Sequence, residues 1–333
     1  MKALVLAGGS ILGAFQVGAI AHVLKFYRPD IIYGVSVGAL NGGYLANFIG
    51  KNFPNASGAN IDWIAAGDDL KNFWLTNLTK PEQLVRQRPT IELIYQAAFG
   101  KFDGLTDTQP LDSLVKRLVI LANVERCAIP VHVGYTSLDT GEFTLASSQN
   151  NPDFIEDMLA SAHLPLIMPI VRKTREHTTP ANIIHTTTES LTDGGVVNVS
   201  PLRCALQNPA VTEIVAISCH SPKVGIAAQG TNWGDLIAQA SRVFDIMNRE
   251  VLNDDLRRTE DINEEAQKHP NNNNVIPSGN NAGKRYVPIR SIRPATDFHI
   301  DIRSFTQKDI LAMINAGEND AKVLFPPMPP PIV

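Results

Sequence analysis

The chain has 333 residues, a formal charge of −4, 44% hydrophobic residues and 19% charged ones. That length allows a sizeable buried core, and the balance is that of an ordinary globular protein with no electrostatic reason to expect nucleic acid as a partner. The three cysteines, Cys127, Cys204 and Cys219, have no CxxC spacing and argue against a disulfide framework or a zinc site.

Residues 2–7 read as a short buried strand that stops at Gly8 and Gly9. From Gly13, apolar residues recur at helical spacing (Ala14, Val17, Ile20, Ala21, Leu24) up to Pro29. Residues 30–34 form a second strand, which turns at Gly34-Val35-Ser36-Val37-Gly38 into another helix. Strand, helix, strand, helix within fifty residues predicts an α/β fold with a mainly parallel sheet.

Residues 50–110 read as helical pieces and loops. Segment 91–99 is amphipathic and aromatic, and reads first as a core-packing helix, with a lid or membrane-facing helix as the alternative. Strands are expected at 129–136, 142–146, 183–187 and 213–219, a long amphipathic helix at 233–260 and a polar, mobile loop at 261–283. Strands near 286–292 and 298–302 and a helix near 307–316 follow, then a proline-rich tail at 326–333. One domain is expected over 1–325, with a motif-bearing core at 1–220 and an extension at 221–325. No stretch suits a secretory signal or a membrane span, so a cytoplasmic protein is expected, with peripheral membrane contact or secretion without a signal left open.

Three short blocks carry chemistry. Gly34-Val35-Ser36-Val37-Gly38 is a GxSxG pattern, in which glycines flank a serine on a tight strand-to-helix turn. Such a pattern arises by composition alone in roughly one chain in ten of this length. Its place between an apolar strand and an apolar helix is what gives it weight. Gly8-Gly9-Ser10-Ile11-Leu12-Gly13 is a second strand-to-helix loop, whose backbone amides can converge on an oxyanion. A dinucleotide-binding reading wants glycine at position 10 and an acid ending the next strand, whereas Asp30 begins it. The third block is Asp193-Gly194-Gly195, a common turn when taken alone.

Taken together and in this order, the three blocks resemble the patatin-like phospholipases, and the resemblance covers at least residues 3–220. A fourth block, 160–169, is similar to that family's Ala- and Ser-rich, proline-containing segment, and the helix near 307–325 with Gly317 and Ala321 is similar to the closing segment of bacterial members. The resemblance implies a three-layer α/β/α fold and metal-free hydrolysis of lipid acyl esters by a Ser–Asp dyad, with no cofactor and a lipid or micelle surface as partner. It assigns Ser36 as nucleophile, Asp193 as base, the amides of Gly8, Gly9 and Ser10 as oxyanion hole, and Gly13, Gly34, Gly38, Gly194 and Gly195 as supports of these turns. The sequence departs from the family at Ser10, usually glycine, and at Leu12, usually arginine or lysine.

The residues leave three other readings. A Ser–His–Asp triad could recruit His220 or His299, although only one strand precedes the elbow here; His163 lies beside the fourth block. The same serine could serve an acyltransferase, and an inactive relative could act as a lipid-binding scaffold.

Overall fold

Along strand β1 (Lys2–Leu6), Leu4 and Leu6 belong to one buried cluster while Ala3 and Val5 belong to another. That is the two-residue period of a strand covered on both faces. Strand β2 (Ile31–Val35) repeats it, with Ile32 on the first face and Ile31 and Tyr33 on the second. Helices therefore lie on both sides of the sheet, which is the three-layer arrangement that the family resemblance implies.

The computed structural model describes residues 1–178, 184–227 and 230–326. The remaining strands are β3 (Arg86–Gln87), β4 (Thr106–Asp107), β5 (Val131–Ser137), β6 (Phe143–Ser147), β7 (Val171–Thr178), β8 (Ile184–Asp193), β9 (Glu213–Ile217) and β10 (Ile289–Ile292). The helices are α1 (Gly13–Val23), α2 (Val37–Asn52), α3 (Trp63–Asn77), α4 (Thr90–Ala98), α5 (Gln109–Leu118), α6 (Leu121–Glu125), α7 (Phe154–Ala162), α8 (Leu202–Gln207), α9 (Leu236–Gln267) and α10 (Gln307–Leu324). The main sheet runs β10-β9-β1-β2-β5-β8-β7, with β6 also on β5. Pairs from β10 to β5 are parallel, and those among β5, β6, β7 and β8 are antiparallel. The first cluster draws on residues from Leu4 to Phe325, so the last helix belongs to the same core as the first strand. Gly18 and Gly317 let α1 and α10 touch through their backbones, since a Cβ on either would stand 1.9 Å from a carbonyl oxygen of the other helix.

One register matters most for the site. The β2 ladder on β5 ends at Val35 opposite Gly134, and the β8 ladder begins at Asp193 opposite Tyr135. Strand β6 pairs with Tyr135 and Thr136 as well, so β8 must occupy the edge of β5 that β2 leaves. Running in opposite directions, β2 and β8 bring their C-terminal ends together there. Ser36 follows one end, and Asp193 is the other.

Several expectations need correction. Helix α9 continues to Gln267, into the segment read as a mobile loop, because Ala266 is buried and the Asn263 side chain is anchored to both the amide and the carbonyl of Val287. Residues 298–302 form no strand; Phe298, Ile300 and Ile302 alternate because they pack against the core from an irregular segment. Strand β7, which the reading of the sequence does not foresee, forms a long hairpin with β8. The core-packing reading of 91–99 is overturned: no residue of α4 is buried, and Ile91 is 80% exposed and Phe99 63%. Its amphipathic spacing is real, but nothing among the described residues buries the apolar stripe. Most of the proline-rich tail, 327–333, lies outside the described residues.

Candidate active site

Ser36 sits where β2 turns into α2 and is the N-cap of that helix, so the helix dipole presents its positive end to the hydroxyl. Its backbone is held at φ 56° and ψ −128°, outside the usual range for a non-glycine residue. The turn is possible because its flanks lack side chains: a Cβ on Gly34 would lie 2.4 Å from the Gly38 carbonyl oxygen, and one on Gly38 would lie 2.2 Å from that of Leu6. The Ser36 amide donates to Ser161 Oγ (2.9 Å), whose own hydroxyl donates to the Gly134 carbonyl (2.5 Å). Ser161 lies in the fourth sequence block, and pinning the elbow to β5 is a role that its sequence position does not reveal. Ser161→Ala leaves both buried backbone groups unpaired, so a loss of about 1–3 kcal/mol of stability is expected, together with a roughly tenfold fall in turnover. Thermal melts and ester-hydrolysis assays check this.

Asp193, 2% exposed, accepts a hydrogen bond from the Gly195 amide (2.7 Å) and lies near enough to Ser36 for that hydroxyl to act on its proton affinity. Burial pushes its carboxyl up to about 6, although the Ser36 hydroxyl, the Gly195 amide and the nearby His163 pull the other way. Gly194 lets this turn lie on β5, since a Cβ there would stand 2.3 Å from the Gly134 carbonyl oxygen.

In the glycine loop, Gly8 packs against Ser36, and a Cβ added to it would lie 3.1 Å from the serine's own. The Gly8 amide donates to the Val199 carbonyl (2.8 Å), which corrects the expectation that it faces an oxyanion. Among the described residues the Gly9 and Ser10 amides meet no acceptor. Ser10 adopts φ 51°, a left-handed conformation that glycine enters without steric penalty. Gly13 opens α1 against Val37, where a Cβ would lie 2.2 Å from a valine methyl.

The histidines divide. Both ring nitrogens of His163 face acceptors, Asp112 Oδ1 and the Pro169 carbonyl, each at 2.9 Å, so the ring is occupied by these partners. Its contribution lies in its backbone, whose carbonyl accepts from the Asp193 amide (2.9 Å) and the Thr192 hydroxyl (2.9 Å). His299 and His220 line the same cavity as Ser36, yet among the described residues no histidine ring is hydrogen-bonded to the Asp193 carboxyl.

That cavity holds about 370 Å³. Ser36, Asp193 and the glycine loop stand in its wall, and its lining is largely apolar, with Tyr44, Trp74, Leu114, Val115 and Met158 contributed by helices and Ile167 by the chain after α7. Leu12 also lines it, so the position where a basic side chain is usual presents an apolar one. Among the described residues no group of His, Cys, Asp and Glu could hold a metal ion, and no helix is long and apolar enough to cross a membrane.

A mixed sheet between two helical layers, with a serine elbow, a glycine loop and an Asp-Gly-Gly turn meeting at the strand ends, defines the class of this protein. The chain belongs to the patatin-like phospholipase family, whose model matches residues 4–206. Among solved structures it is similar to VipD from Legionella pneumophila, at 12% identity and a TM-score of 0.43, covering 97% of this chain and 66% of that one. The chain thus spans just under two thirds of that protein's length. No curated protein matches the sequence.

Proposed function

We propose that this protein hydrolyses carboxylic esters of lipids through an acyl-enzyme on Ser36, with Asp193 as general base. The observation that carries this reading is the buried Asp193 carboxyl, its proton affinity raised by burial, in the same cavity wall as Ser36. A solvated aspartate is a weak base for an alcohol; burial narrows that gap by raising the proton affinity of the carboxylate. Asp193 takes the proton as the Ser36 oxygen attacks the ester carbonyl. The Gly9 and Ser10 amides then stabilise the oxyanion, each such donor contributing about 3–4 kcal/mol. The proton passes to the departing alcohol, and water, deprotonated in turn by Asp193, releases the fatty acid. The apolar lining suits an acyl chain.

Access from a lipid surface is supported by α4. Its exposed Ile91, Ile94, Tyr95 and Phe99 form an apolar stripe, and the chain that follows is tied by the Leu105 amide to the carbonyl of exposed Leu166, between the cavity residues Leu164 and Ile167.

Turnover of phospholipids, lysophospholipids and short-chain esters, with Ser36→Ala as control, tests the proposal. Hydrolysis is expected to survive EDTA undiminished, because no step uses a metal. Ester cleavage that persists in Ser36→Ala, or that EDTA abolishes and calcium restores, contradicts it.

A further inference from the structure

The strand register that assembles the site also brings in residues beyond the family match. Strand β9 lies parallel to β1 with Ile217 opposite Leu6, and the Ala7 amide donates to the Ile217 carbonyl (3.0 Å). The chain leaving β9 must then run beside the glycine loop. A Cβ on Gly9 would stand 2.3 Å from Cys219 Cβ and 3.6 Å from His220 Nε2. His220 is 4% exposed, and it lines the cavity that holds Ser36.

This imidazole is held but unsatisfied. Its backbone is fixed at both ends, the amide donating to Ser218 Oγ (3.1 Å) and the carbonyl accepting from Arg293 Nε (3.0 Å). Nδ1 lies 3.0 Å from Asp245 Oδ1, out of line for a hydrogen bond, and Nε2 has no partner among the described residues. A buried polar atom without a partner is uncommon and calls for a ligand or a function.

The charge around it favours an anion. Arg242, also on the cavity wall, contacts Asp245 Oδ2 (3.0 Å) and the Gly225 carbonyl (2.5 Å). Behind it, Arg249 pairs with Asp245 (2.7 Å) and Asp297 (2.8 Å). Among the described residues Arg293 donates to two carbonyls and to Asn253 Oδ1 and pairs with no carboxylate. Three guanidiniums therefore face two carboxylates, before His220 is counted. The other carboxylates of the cavity wall are engaged, Asp193 by the Gly195 amide and Asp301 by Arg303. An anion beside Nε2 supplies the acceptor that this nitrogen lacks when it carries a proton.

We propose that His220 and Arg242 form an anion subsite beside the oxyanion loop, and that it takes the phosphate of a phospholipid headgroup while the acyl chain lies against the apolar lining. Both residues come from the segment after 206, outside the family match, so the extension supplies to this cavity the positive charge that is missing at Leu12. The assignment of the headgroup rests on the lipid-hydrolase reading; the existence of the anion subsite does not.

The test separates the two. Calorimetry measures binding of monomeric dihexanoylphosphatidic acid, and separately of inorganic phosphate, to the Ser36→Ala protein with and without His220→Gln or Arg242→Gln. Each added substitution is expected to weaken lipid binding roughly tenfold, with inorganic phosphate binding more weakly than the lipid. In the active enzyme, either substitution is expected to raise KM for the phospholipid and to lower its kcat/KM roughly tenfold further than that for p-nitrophenyl butyrate. Unchanged lipid affinity in both variants overturns the subsite. Inorganic phosphate binding as tightly as the lipid overturns the headgroup assignment, as does equal loss on both esters. If the wild type cleaves neither ester, the hydrolase reading fails, while the calorimetric result still decides the subsite.

Discussion

Ser36→Ala is expected to lower ester hydrolysis by three or more orders of magnitude while leaving the melting temperature within a few degrees of the wild type. The loss is large because the acyl-enzyme route needs an oxygen nucleophile at this position, and the remaining groups can offer only binding and the oxyanion amides. The fold is spared because the tie between the elbow and Ser161 uses the Ser36 amide, which alanine retains. Alanine is as poor a fit as serine to φ 56°, so the turn gains no new strain. Progress curves and thermal melts on the same preparation measure both effects.

Asp193→Asn is expected to lose nearly as much activity, and to become more stable above pH 6. Asparagine keeps the shape and the contact with the Gly195 amide but cannot accept the serine proton. Members of one catalytic unit are strongly non-additive, so Ser36→Ala with Asp193→Asn should be little worse than either alone. The gain in stability follows from the raised carboxyl, at about 6 in the folded chain against the ordinary 3.8. A raised acid binds its proton more tightly when folded, so its stabilising contribution is complete below the unfolded value and is lost as pH rises through about 6. Asparagine is neutral throughout and escapes that loss, which reaches roughly 3 kcal/mol at most. The wild-type kcat/KM should correspondingly fall on acidification through about pH 6, as the base becomes protonated. A histidine base would titrate in nearly the same range. The variants therefore discriminate where the pH profile does not: an active Asp193→Asn enzyme with a dead His220→Ala or His299→Ala enzyme would favour a triad.

The turns of this site are legible in the sequence because glycine is the only residue that fits them. Gly34, Gly38 and Gly194 each stand where a Cβ would collide with backbone, and Gly8 lies against Ser36. Strands β1 and β2 are legible because both of their faces are buried, which leaves short apolar runs ending in glycine. Hairpin β7–β8 is not, because charged and hydroxylated residues fill it and its stability comes from pairing. Helix α9 outruns its apolar pattern because one buried alanine and one anchored asparagine suffice to hold its last turns. The exposure of α4 is hidden for the opposite reason: its spacing fits a core helix, and only the tertiary fold reveals that nothing among the described residues buries it. The place of His220 beside Gly9 depends on β9 pairing with β1 across more than 200 residues of chain, a contact that local pattern does not encode.

The central claim is that Ser36 is an activated nucleophile, and a fluorophosphonate probe tests it most directly. Such a probe reacts fast only with a hydroxyl deprotonated by a neighbouring base and stabilised by oxyanion donors. After brief labelling of the native protein and peptide mapping, a single adduct is expected on Ser36, absent from Ser36→Ala and strongly reduced in Asp193→Asn. An adduct on any other serine, or labelling of Ser36 that proceeds undiminished in Asp193→Asn, would contradict the account.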